Sequence, residues 1–85
     1  MAITAEHIAV SNEAVALNTA GTAGTYLVIQ NAGEAAVDLG AAAVVATEGF
    51  PLGAGETVNL ALGPGEVVYA IRTTGADSTL AVLRT

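Results

Sequence analysis

Gly53-Ala-Gly-Glu-Thr-Val-Asn-Leu-Ala-Leu62 runs directly into Gly63-Pro-Gly-Glu-Val-Val-Tyr-Ala-Ile-Arg72, and these two segments decide the fold. Both open on the pattern G-x-G-E-x-V, repeated ten residues apart. Within the first, Val58, Leu60 and Leu62 fall on one face and Thr57, Asn59 and Ala61 on the other. That is the period of two of a half-buried strand. The second segment alternates as well, with Val67, Tyr69 and Ile71 on one side and Glu66, Val68, Ala70 and Arg72 on the other; the larger residues are expected to point inward. Glycine supplies turn angles that other residues resist, and each Glu marks where the chain leaves the turn for solvent. A phosphate cradle is excluded, because neither copy opens a helix, neither carries a third glycine, and the chain holds no Lys for a P-loop.

Outward from this core the same rhythm continues. Turn chemistry recurs at Gly21–Gly24, Asn31–Glu34 and Thr73–Ser78. Tyr26–Gln30 and Leu80–Arg84 read as strands on their β-branched and large aliphatic content, and Val15–Leu17, Ala35–Leu39 and Val44–Ala46 as weaker ones. Short strands with turns every eight to twelve residues indicate an all-β fold, a small antiparallel β-sandwich or barrel of about seven to eight short strands with no long helix. The expected organisation is an N-terminal arm or first strand over residues 1–13 and a single β-domain over 14–85.

Composition narrows the function. With 85 residues the chain forms one core, and a fold of this size hides only roughly 60 to 65% of the surface its unfolded chain exposes. It has no Cys for disulfides, and His7 is the sole His, so neither staple of very small folds is present. Yet 53% of its residues are hydrophobic, mostly Ala and Val, and the aromatics are limited to Tyr26, Phe50 and Tyr69. This surplus implies burial against other copies or a larger partner, in a thin sandwich with no roomy ligand cavity. Eight acids against Arg72 and Arg84 give a net charge of −6, which disfavours nucleic acid and anionic membrane surfaces as partners. No apolar run reaches the roughly 20 residues of a spanning helix. Met1–Val10 lacks the basic and apolar regions of a signal peptide, so a soluble protein made in a cytoplasm is expected.

Searching for chemistry returns little. Ser11 and Ser78 could pair with His7 only in principle, since neither sits in a nucleophile elbow and Ser78 lies in an ordinary Gly-Ala-Asp-Ser turn. One His cannot build a cupin-like metal site. Glu34, Glu48, Glu56 and Glu66 all lie in or beside turns, where solvation is their expected role, and no D-x-D spacing signals calcium. The expectation is therefore no enzyme, no catalytic residues, no metal and no cofactor. Two features point to contact instead. The N-terminal residues Ala2, Ile3, Ile8 and Val10 could form an arm that adds a strand to a neighbour, or simply a first strand. Phe50 and Leu52, in the connection Glu48-Gly-Phe-Pro-Leu52, form either a plug over one end of the core or an exposed contact anchor.

Taken together, Asn31-Ala-Gly-Glu-Ala-Ala-Val-Asp-Leu-Gly40, Gly49-Phe-Pro-Leu-Gly-Ala-Gly-Glu56 and Glu66-Val-Val-Tyr-Ala-Ile71 resemble the small β-sandwich virion proteins of tailed bacteriophages, and most of all their capsid decoration proteins. The resemblance covers residues 28–72 and rests on turn-and-strand patterns. It implies a structural protein on the outer capsid surface, bound to the major capsid protein and self-associating, a trimer being favoured, and holding capsomers against internal pressure. It also implies shell contact through an N-terminal arm, which here falls on Ala2–Val10. Tail, baseplate and head-fibre modules of the same architecture remain open, as does a carbohydrate-binding module, which would need exposed aromatic platforms.

Overall fold

The computed structural model describes residues 4–18, 25–41, 49–73 and 77–84. The two G-x-G-E repeats form matching turns. In each, the Glu N–H donates to the carbonyl of the first glycine (Glu56 to Gly53, 3.0 Å; Glu66 to Gly63, 3.2 Å), and the second glycine, Gly55 or Gly65, has φ of 79°. A positive φ at the third residue of a four-residue turn defines type II, for which Pro64 at the second position is preset. The Glu side chain then closes the turn from outside, its Oε1 accepting the N–H of Gly53 or Gly63 at 2.5 Å. Nothing lies within 4 Å of a Cβ built on Gly55 or Gly65, so only backbone conformation resists substitution there. Gly55→Ala and Gly65→Ala should each lower stability by about 1 to 2 kcal/mol, read from the urea midpoint, with Asn at either position losing less.

Those turns carry the chain from one sheet to the other and back. Among the described residues there are eight strands in two antiparallel four-stranded sheets. The first sheet has the order β1 (Thr4–Val10), β8 (Ser78–Arg84), β3 (Thr25–Asn31), β6 (Thr57–Leu62); the second has β2 (Val15–Ala16), β7 (Tyr69–Arg72), β4 (Val37–Gly40), β5 (Phe50–Leu52). The turn at 53–56 takes β5 of the second sheet into β6 of the first, and the turn at 63–66 returns it toward β7. The architecture is the small all-β sandwich expected from the strand spacing.

Registers fix which side chains face the core. Leu27, Ile29, Leu80 and Val82 from the first sheet meet Val37, Leu39, Leu52 and Ala70 from the second, all buried, with Val10, Leu17 and Val68 closing the ends. On β7 the expected facing is reversed. Ala70 pairs with Val15 on one side and Leu39 on the other and is fully buried, whereas Tyr69 and Ile71 lie half-buried on the outer face. Each face of that run offers apolar residues, Val67, Tyr69 and Ile71 on one and Val68 and Ala70 on the other, so register and not residue size decides which enters the core. Tyr69 sits opposite Ala16 and Gly40, two small neighbours on the outer surface.

Two further details depart from the sequence reading. Phe50-Pro-Leu52 is a strand and not merely a connection; β5 pairs with β4 on one side and ends the sheet, which is the position where a strand tolerates a proline without an N–H. Regular pairing on β7 begins at Tyr69, because Glu66–Val68 bonds instead to Leu17 and Asn18: the Leu17 N–H donates to Val68 O (2.9 Å), and the Asn18 amide donates to Glu66 O (3.0 Å) and accepts from the Val68 N–H (2.9 Å). The expected strand Val44–Ala46 lies outside the described residues.

Candidate interaction surface

Among the described residues, the sandwich is not closed along the side where β5 and β6 end the two sheets. Val58, Leu60 and Leu62 face inward from β6 yet remain half-exposed, because the three-residue β5 opposite them is too short to cover the strand. The result is an open apolar cleft of about 400 Å³, lined by Leu39, Gly40, Ala41, Phe50, Val58, Leu60, Leu62, Glu66, Val67 and Val68. Among the described residues, Glu66 is its one charged lining residue. The expectation of a thin sandwich without a sizeable cavity is corrected at this edge.

Phe50 stands at the mouth of the cleft. It pairs with Leu39 and therefore turns to the inter-sheet side, but at the sheet's edge it stays 60% exposed. Exposed to that degree it does not plug the core; it presents a large aromatic at the rim of an apolar recess. Asp38 helps to place it. The Asp38 carboxylate is buried on the outer side of the second sheet, where Oδ1 accepts from the Thr73 hydroxyl (2.6 Å) and Oδ2 from the N–H of Gly49 (3.1 Å), the residue that leads into Phe50.

The other contact candidates separate. Leu52 (3% exposed) and Val10 (0%) are core residues, so neither presents surface: Leu52 pairs with Val37 inside the second sheet, and Val10 ends β1 opposite Ser78. Ile8 is half-buried against the core, in the middle of a seven-pair ladder between β1 and β8. Thr4–Val10 is thus a strand of the sandwich; Ala2 and Ile3 lie outside the described residues.

Elsewhere, apolar surface is shallower. The outer face of the first sheet carries Ala5, Val28, Ala81 and Leu83 around a depression of about 190 Å³, with Tyr26 45% exposed near the end of β3. Tyr26 pairs with Ala61 on that outer face, while Phe50 turns to the gap between the sheets, so the two exposed aromatics do not share one platform. Of the chemistry-bearing residues, His7 and Ser11 are exposed and Ser78 is buried with its hydroxyl donating to Asn31 Oδ1 at 2.8 Å. Among the described residues, no three His, Asp or Glu side chains converge as a metal site. Comparison with protein-family models, with curated proteins and with solved structures returns no match to this chain.

Proposed function

We propose that this chain is a non-enzymatic structural protein that binds other protein surfaces, and that its place is the outside of a bacteriophage capsid, where it decorates and stabilises the head. The observation that carries the reading is the open apolar cleft with Phe50 at its mouth: the lone chain leaves this surface wet, and a partner would cover it. The choice of assembly rests on the resemblance of its turn-and-strand patterns to capsid decoration proteins. An acidic chain would also stay off packaged DNA before assembly.

The mechanism is clamping. Copies bury apolar surface against one another, with a trimer favoured, and against the lattice of the major capsid protein; each interface of about 1,000 Å² or more adds stability only once the lattice is present. Particles stripped of the protein should therefore rupture or release DNA at lower temperature than complete ones, and adding the purified chain back should restore the difference. Equal rupture temperatures would remove the clamping role. Gold-labelled antibody on intact virions is expected on heads; label on tails or baseplates would reassign the module to that part of the particle.

A further inference from the structure

Among the described residues, the first sheet ends in two unpaired edges, on β1 and β6, and they are built differently. On β1, Glu6 pairs with Val82 and so turns to the core side, where Arg84 holds its carboxylate at 2.6 Å. An inward charge at a sheet edge keeps a further strand from docking. On β6, Thr57–Leu62 contains no charge and no proline. The Asn31 N–H bonds Glu56 O at 2.9 Å, which with the register sets the alternation: Val58, Leu60 and Leu62 direct their backbone groups to β3, and Thr57, Asn59 and Ala61 direct theirs outward. No described strand occupies that outer side.

Charge marks both ends of the same strand. Glu56 precedes β6 and Glu66 follows it, both exposed, and each carboxylate is pinned through Oε1 by a glycine N–H. We propose that β6 is a strand-addition site for an extended segment of another protein, one with alternate aliphatic side chains that enter the cleft beside Leu60 and with Lys or Arg at both ends to meet Glu56 and Glu66. Six residues of strand span about 20 Å, so a segment of about six to eight residues fills the edge. A second copy of the chain fits less well, because it brings the same two acids and a further net charge of −6 to the edge. The inference rests on reading the chain as a protein-binding module, whichever assembly holds it.

The test titrates the isotope-labelled full chain with a synthetic peptide of alternating threonine and valine carrying an arginine at each end, and with the same peptide carrying aspartate at each end. The arginine peptide should shift the amides of Thr57, Asn59 and Ala61 first. Glu56→Gln/Glu66→Gln keeps an oxygen for each glycine N–H and removes only charge, so it should weaken binding about three- to tenfold while leaving the fold intact. Asn59→Pro deletes an outward N–H and should abolish binding, with the β3 ladder retained. Equal affinity for the aspartate peptide, shifts centred on β1 or the outer face of the first sheet, absence of binding by either peptide, or a dimer formed through β6 in sedimentation would each overturn the proposal. Virion labelling reads separately: a chain found on heads that ignores both peptides loses this site alone, and one that binds the arginine peptide but is missing from virions loses the capsid reading alone.

Discussion

Asn31→Ala should remove about 3 to 5 kcal/mol of stability, enough to bring the domain close to unfolding, since a chain of this length is stabilised by only about 4 to 13 kcal/mol in total. Asn31 ends β3 with its side chain 1% exposed, and its amide is fully saturated. Nδ2 donates to the carbonyls of Ala35 (2.7 Å) and Leu52 (3.0 Å), and Oδ1 accepts from the Gly33 N–H (3.0 Å) and the Ser78 hydroxyl (2.8 Å). One side chain therefore ties the end of β3 to the approach to β4, to β5 and to β8. Truncation leaves two carbonyls and an N–H without this partner, the Leu52 carbonyl in a buried position and the Ala35 and Gly33 groups in part-buried ones, and each unmet buried group costs about 1 to 3 kcal/mol. Asn31→Asp should be at least as damaging at neutral pH, because a carboxylate has no N–H for the two carbonyls and adds a buried charge. Urea unfolding followed by far-ultraviolet circular dichroism checks both; a loss below about 1 kcal/mol for Asn31→Ala would show that the neighbours re-pair without it.

The strands were legible where only one face is apolar. Thr57–Leu62 alternates a polar-or-small face with an aliphatic one, and its facing in the sandwich follows that pattern. Glu66–Arg72 was legible as extended chain but not in its facing, because each face offers apolar residues and the decision lies with Val15 and Leu39, far off in sequence. The short β5 hid behind Pro51, whose tolerance depends on being at an edge that local sequence does not reveal. The turns were the clearest signal: the repeated G-x-G-E needs a positive φ at its second glycine and has it. The sequence could not show that these turns cross between sheets.

The contact surface was legible in part for a similar reason. Phe50 stands out as a lone aromatic in a Gly/Pro-containing connection, and its exposure follows from that setting. Val10 and Leu52 look equally available in the sequence, but both alternate into the core once their partners are fixed. The openness of the cleft depends on the mismatch between a three-residue β5 and a six-residue β6, a property of pairing lengths and not of any motif. In the sequence Asn31 opens a turn, Asn31–Glu34. Its role as a hub depends on Leu52 and Ser78, 21 and 47 positions away, being brought to it by the topology.

Gly33→Ala should lose about 2 to 3 kcal/mol, and the reason lies in the same cluster. A Cβ at position 33 would fall 2.1 Å from Ser78 Oγ, 2.8 Å from the Thr79 backbone nitrogen and 3.1 Å from Ser78 Cα. The hydroxyl can rotate away, but doing so ends its donation to Asn31; the backbone of β8 cannot move without disturbing the Ala32 N–H to Thr79 O bond at 2.9 Å. Ser78→Ala in the same chain relieves the first clash and leaves the other two, so it should rescue the Gly33→Ala protein only partly. The two substitutions share a partner in Asn31, so their effects should depart from additivity by about 0.5 kcal/mol or more in a double-mutant cycle. Full rescue by Ser78→Ala would place all of the strain on the hydroxyl, and an additive cycle would mean that Gly33 and Ser78 do not act through a common contact. Either result would change the account of how the turn at 31–35 meets β8, which it joins through the Asn31 amide, the Ala32–Thr79 backbone bond and the close approach at Gly33.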